Sequence, residues 1–245
     1  MPVPPTHSVD ETKGQISSGT AVLSSAAKAL QSFKPLANIC DSFCGLHLYP
    51  NDNKRQIVSY HYCSMLDEDR RQCLVYDSNS EQAKLIAVEY IISQKLFEAL
   101  DDNEKKYWHS HKYECESGLL VQTSKTMVPE MVAKAAEIPA LQNLVNTYGK
   151  TTQLWPVDDD GCCSSKVPVG PPQILVAFTA DGQVNEDMLR RRDEALGIST
   201  EEKRKEREGH IQGNAVVEGA DQWITRGKAW QIYDQGNRGV VEAHQ

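Results

Sequence analysis

The chain reads as an α+β domain: a mostly antiparallel sheet with helices packed outside, a barrel-like closure of that sheet being the alternative. Three observations predict it. Residues 56–64 and 72–76 alternate in polarity on either side of a charged loop, Asp67-Glu68-Asp69-Arg70-Arg71, at the spacing of an antiparallel hairpin. Residues 85–92 are the most apolar run, short and β-branched, as a central strand would be. Further extended pieces at 119–121, 153–157 and 174–178 enlarge the same sheet.

In order along the chain, residues 1–18 are rich in Pro, Ser, Thr and Gly and read as a flexible segment. Residues 19–235 are expected to form one domain, and 236–245 a flexible tail. A hydroxyl at Ser18 or Thr20 can cap a helix carrying Val22, Leu23, Ala26, Ala27, Leu30 and Phe33 at helical spacing, ended by Pro35. The ordinary fate of such a helix is to pack on its own core. Near a terminus, docking on a lipid surface or partner is the alternative, and its Ser- and Gln-rich polar face argues against a purely electrostatic attachment. Residues 40–49 are short and mixed in pattern, and Pro50-Asn51-Asp52-Asn53 is a turn.

In the first strand of the hairpin, Ile57, Ser59, His61 and Cys63 share one face and Val58, Tyr60 and Tyr62 the other. Ser93 and then Asp101 or Asp102 can cap two short helices. A strand is expected at 109–115, turned by Ser117-Gly118. The clearest helical block is 127–148, with Met131, Ala135, Ile138, Leu141, Leu144 and Val145 as its stripe, Pro139 as an interruption and Tyr148-Gly149 as its stop. Residues 158–172 form an irregular loop. Residues 185–208 read as two charged helices joined near Gly197, and Trp223 and Trp230 as anchors of a C-terminal segment.

The 245 residues can bury a sizeable core, and 40% hydrophobic with 24% charged residues is ordinary for a globular protein. A formal net charge of −8 argues against a nucleic-acid binder, and the Arg190-Arg191-Arg192 run is balanced by Asp193 and Glu194. No stretch approaches a membrane span, and no apolar signal region follows Met1. Seven cysteines, an odd number without C-x-x-C spacing, point to reduced thiols and a cytoplasmic setting, with Cys162-Cys163 a loop feature. Phosphate-cradling glycine loops, nucleophile elbows and H-E-x-x-H helices are absent, which weakens nucleotide, serine-hydrolase and metalloprotease readings.

The chemistry gathers around Tyr107-Trp108-His109-Ser110-His111-Lys112-Tyr113-Glu114. Two histidines one residue apart point the same way on an extended backbone, and a carboxylate nearby completes a set for one divalent cation. Glu89 lies inside the apolar central strand; a buried carboxylate must be neutralised, hydrogen-bonded, paired or beside a metal.

The motifs His61-Tyr62, Val75-Tyr76-Asp77-Ser78, Val88-Glu89-Tyr90-Ile91-Ile92-Ser93, and Trp108 through Glu114 with Ser117-Gly118 occur in that order. With Tyr148-Gly149-Lys150 and Arg192-Asp193-Glu194, they resemble the oil body-associated protein family of plants and fungi, long described only as a domain of unknown function. The resemblance spans residues 30 to 230 and matches that family's pattern at His61, Glu89, His109, His111 and Glu114. The loop bearing Cys162-Cys163 and the tail after Trp230 depart from it. It implies association with oil bodies or lipid droplets rather than a reaction.

Residues and resemblance together give a hypothesis: His61, His109 and His111 bind a divalent metal, zinc first, with Glu114 or Glu89 as fourth ligand. Glu114 has the wrong parity for a regular strand and would need a bulge after His111. Glu89 would otherwise orient an imidazole or act as a catalytic general base. Two functions follow. One is a cytoplasmic protein held peripherally at the lipid droplet surface, its metal structural. The other is a metal-dependent lyase, isomerase or hydrolase acting on a small-molecule substrate of the secondary-metabolite type, with Tyr60, Tyr62, Tyr90 and Tyr113 lining a pocket above the ion.

Overall fold

A computed structural model describes residues 16–124, 128–157, 167–231 and 240–242. The strands are β1 (Asp41–Tyr49), β2 (Asp52–Asp67), β3 (Arg70–Tyr76), β4 (Leu85–Ser93), β5 (His109–Ser110), β6 (Val121–Gln122), β7 (Thr147–Gln153), β8 (Gln173–Leu175), β9 (Lys228–Trp230) and β10 (Val240–Glu242). The helices are α1 (Ser18–Leu30), α2 (Lys34–Ala37), α3 (Gln94–Glu98), α4 (Asp102–Lys105), α5 (Lys112–Ser117), α6 (Glu130–Leu144), α7 (Glu186–Leu196), α8 (Thr200–Arg207) and α9 (Gln222–Thr225). The main sheet runs β5-β7-β4-β3-β2-β1-β6 and is antiparallel throughout, with β8 also on β7. Just past β8, Leu48 and Val176 exchange two backbone hydrogen bonds of 3.0 Å, so the curled sheet meets its own first strand.

Because strand side chains alternate, the pairing register decides what enters the curl. Phe43, Gly45 and His47 of β1 lie opposite His61, Ser59 and Ile57 of β2. His61 in turn pairs with Val75, Cys63 with Cys73, Cys73 with Glu89, and Glu89 with Thr151. This face is buried in three layers. Tyr49, Ile57, Val75, Ala87 and Leu175 form one apolar layer. Phe43, Cys63, Cys73 and Ile91 form another, onto which α6 stacks Leu141 and Leu144. The histidines and Glu89 lie on the same face of the sheet as both. The opposite face of β1 and β2 carries Cys44, Leu46, Leu48, Val58 and Tyr60, covered by Met188 of α7, Phe178 and Trp223.

Several expectations change. Residues 41–49 are a full strand, most of it buried, because both faces are covered and neither shows a polar alternation. The extended backbone at 109 stops after Ser110, and residues 112–117 are helical, with Gly118 ending the helix at φ 88°. The helix within 127–148 ends at Leu144; Tyr148 and Gly149 belong to β7, and residues 154–157 lie outside it. The N-terminal helix forms, capped by Ser17, but buries none of its residues. The reduced-thiol reading fails at Cys63 and Cys73, which face each other across β2 and β3 and are disulfide-bonded. Cys40, Cys44 and Cys115 are free. The Cys162-Cys163 pair, residues 1–15 and most of the expected tail lie outside the described residues.

Glu137 ties α6 to α8. Its carboxylate accepts from Arg207 at 3.2 Å, from Lys203 at 2.7 Å and from the Gln122 amide at 3.0 Å, with Arg207 1% exposed. Removing the acid leaves a buried guanidinium whose remaining partner among the described residues is the Cys115 carbonyl. Glu137→Ala is expected to lower stability by about 3–5 kcal/mol, the usual cost of stranding one partner of a buried pair, read as a reduced urea midpoint.

Candidate metal centre

Four imidazoles and one carboxylate meet inside the curl. Glu89, from the middle of β4, is 2% exposed. Its Oε2 lies 2.9 Å from His61 Nδ1; its Oε1 lies 3.2 Å from His109 Nε2 and 3.5 Å from His111 Nε2. Thr151 donates to Oε1 at 2.9 Å. Burial works to raise the Glu89 carboxyl, but the facing imidazoles of His109, His111 and His61 outweigh it and hold it well below the usual carboxylate range. Burial likewise lowers the His109 imidazole.

The structure therefore brings His61, Glu89, His109 and His111 together. Glu114 is less central. The turn into α5 puts it three residues from His111 on one helical face, so no bulge is needed, and its carboxyl stands 3.9 Å from His111 Nε2. Burial, then the charges of Glu89 and Asp221, push that carboxyl well above its usual range. It lines the cavity with His111. Glu89, not Glu114, is the carboxylate within 4.8 Å of His109 and His111 as a common ligand set.

Sequence reasoning missed His47, Gly149 and Asp221. His47 Nε2 lies 3.2 Å from His61 Nε2, and its ring centroid 5.5 Å from that of His109. Burial, with His61 beside it, lowers its imidazole well below the usual value. Its signal was the alternation of Phe43, Gly45 and His47, masked by the apolar residues between them. At Gly149 a Cβ would stand 2.7 Å from Nε2 of both His109 and His111 and collide with Glu89 Oε1. Three ligand-type atoms thus converge on the space that glycine leaves open. Asp221, at φ 51°, accepts from the Ser110 amide at 2.9 Å and hydroxyl at 2.6 Å, while its own amide donates to the Trp108 carbonyl. It grips the chain on both sides of His109, and no local pattern announces a partner 111 residues away.

Outer hydrogen bonds orient the rings. His111 Nδ1 is 2.7 Å from Thr147 Oγ1, whose own proton goes to the Leu144 carbonyl, so Nδ1 donates and Nε2 offers a lone pair. His109 is 0% exposed and, among the described residues, neither ring nitrogen has a hydrogen-bond partner. Imidazole and carboxylate donors of this kind suit a divalent first-row ion. The adjoining cavity measures about 20 Å³ and is walled by Phe43, Ile91, Leu120 and Leu144, room for a water-sized occupant. The tyrosines expected above it lie elsewhere: Tyr60, Tyr62 and Tyr90 alternate with His61 and Glu89 onto the other face, and Tyr113 donates to Asp181.

A family model described as a protein of unknown function (DUF1264) matches residues 33–211. Oil body-associated protein 1B of Arabidopsis thaliana is 38% identical over 189 residues, covering 77% of this chain and 74% of the relative. The chain belongs to the oil body-associated protein family. Oil body-associated protein 1A of Zea mays is 37% identical with 77% and 75% covered, and protein 2A of Arabidopsis thaliana is 37% identical with 87% and 83% covered. No solved structure matches. The family match takes in His47, Glu89, Gly149 and both histidines of β5 and its exit, and ends before Asp221.

Gly149→Ala is expected to cost about 1–3 kcal/mol, as an overpacked interior does, because the methyl must displace Glu89 and two rings. Denaturant unfolding checks it, and wild-type stability in that variant would contradict the geometry.

Proposed function

We propose that this chain is a peripheral protein of oil-body or lipid-droplet surfaces whose curled sheet holds a divalent transition metal on its inner face, zinc being the ion that suits its donors. The observation that carries the metal is His109. A fully buried imidazole with no hydrogen bond at either nitrogen is expensive. An ion bound by its Nε2, together with Glu89 Oε1 and His111 Nε2, would give that nitrogen the partner it lacks. The small cavity favours an ion that stabilises the fold; an enzyme would need room for its substrate. Purified protein is expected to carry near-stoichiometric transition metal by elemental analysis. Replacing His109 and His111 together by Ala should lower the content at least about tenfold. A wild-type content below about 0.2 equivalents would defeat the reading.

Surface attachment is supported by the relatives' names and by α1. Ile16, Val22, Leu23 and Leu30 are 69–86% exposed, and Phe33 and Leu36 continue the apolar exposure toward α2. Among the described residues no helix is long and apolar enough to cross a membrane. Inserting such side chains gains about 1.5–3 kcal/mol each, enough for reversible binding. Changing Val22, Leu23 and Leu30 to Asp is expected to reduce co-flotation with lipid droplets at least about tenfold, since three such side chains are lost; unchanged flotation would remove α1 from the proposal.

A further inference from the structure

We propose that the outer face of the sheet, away from the histidines, holds one chain of an uncharged acyl lipid; this rests on the surface-attachment reading above for where the lipid comes from. The site is a cavity of about 220 Å³ between β2, β3, β4 and the segment around α2. Leu36 and Ile39 wall it on one side, and Tyr62, Leu74, Val88 and Tyr90 on the other. The strand register orders the sheet wall in two rows. Tyr62, Leu74 and Val88 are paired neighbours, and so are Ser64, Gln72 and Tyr90. The first row is apolar, because Tyr62 spends its hydroxyl on Asn79 at 2.7 Å. The second is polar.

A ligand lying across both rows needs an aliphatic body and a head that hydrogen-bonds. Ser64 is 5% exposed and lines the cavity, and its hydroxyl has no hydrogen-bond partner among the described residues. Buried hydroxyls are normally paired, so this one points to a polar group that enters from outside. Gln72, opposite it on β3, also leaves its amide without a protein partner among the described residues. The volume admits about seven groups of about 30 Å³ each, which is part of an acyl chain and too little for a folded peptide segment. The head is uncharged. No cation is among the described residues lining the cavity, and Glu89 turns its carboxylate to His61 and His109 on the opposite face. An ion placed here would lack a counter-charge. The entrance is apolar: Leu36 and Tyr90 are 51% and 53% exposed, and Phe33, Met65 and Leu66, close to the wall in the chain, are 43–55% exposed. α1 ends at Leu30 and α2 begins at Lys34, so the apolar exposure of α1 runs on into the cavity wall.

The probe is monodecanoylglycerol with a diazirine in its tail, kept below its aggregation concentration and photolysed with the full-length protein. Crosslinked peptides are read by mass spectrometry. One saturable label per chain is expected, on residues 35–39 and strands β2 to β4. Val88→Trp fills the cavity and should cut the label at least about tenfold, the loss of roughly two buried methylenes, with thermal melting reporting that the variant is folded. The label should survive changing Val22, Leu23 and Leu30 to Asp. A label confined to α1, one that does not saturate, or one undiminished in folded Val88→Trp overturns the cavity site and leaves droplet attachment standing. Should Val88→Trp fail to fold, the position of the wild-type label decides alone. A wild type that forms dimers in gel filtration and takes no label in the cavity assigns the groove to a second copy and overturns the lipid. A labelled cavity in a protein that does not co-float with lipid droplets supports the site and defeats the droplet as its source.

Discussion

Everything in the interior is arranged around one negative charge. A carboxylate taken out of water into a strand flanked by apolar layers is costly unless it is surrounded by donors or a cation. Glu89 accepts from His61 and the Thr151 hydroxyl and faces the rings of His109 and His111, partners drawn from three other strands and the exit of β5. The curl of the sheet makes the meeting possible. Only a surface bent on itself can aim β2, β4, β5 and β7 at a common point, and the Leu48–Val176 closure keeps β1 with His47 on the same side.

The supports of this arrangement lie outside the charged groups. Gly149 contributes by absence, leaving its space to three polar atoms. Asp221 contributes from the far end of the sequence, fixing the extended residues around His109 with three hydrogen bonds in a backbone conformation that L-residues seldom adopt. Apolar layers on either side exclude water, which strengthens every interaction between them.

Much of this was legible in the amino-acid order. The hairpin and central strand announced themselves by alternation and β-branching, and Ser93 and Asp101 cap their helices as their side chains suggest. Glu89 could be named because a carboxylate inside an apolar strand requires a reason, His109 and His111 by their one-residue spacing, and His61 with the family resemblance beside its place on the strand. What stayed hidden has physical causes. A strand covered on both faces, as at His47, loses the polar alternation that would reveal it. Gly149 after an apolar helical stripe looks like a stop signal, whereas its role is set by atoms from other strands. The helix after His111 was obscured because His-x-His spacing suggests that the extended backbone continues.

The Cys63–Cys73 bond has a further effect on the neighbouring strands. It encloses a short loop, ten residues in separation, so its chain-entropy contribution is modest, roughly 2–3 kcal/mol. Its position matters more: Cys73 pairs with Glu89, and Cys63 follows His61 by two residues on the same face. Sliding β2 by a single residue would turn His61 outward. A covalent rivet in that row forbids the slip, so the alignment of the imidazole with its carboxylate is locked by sulfur chemistry one strand away.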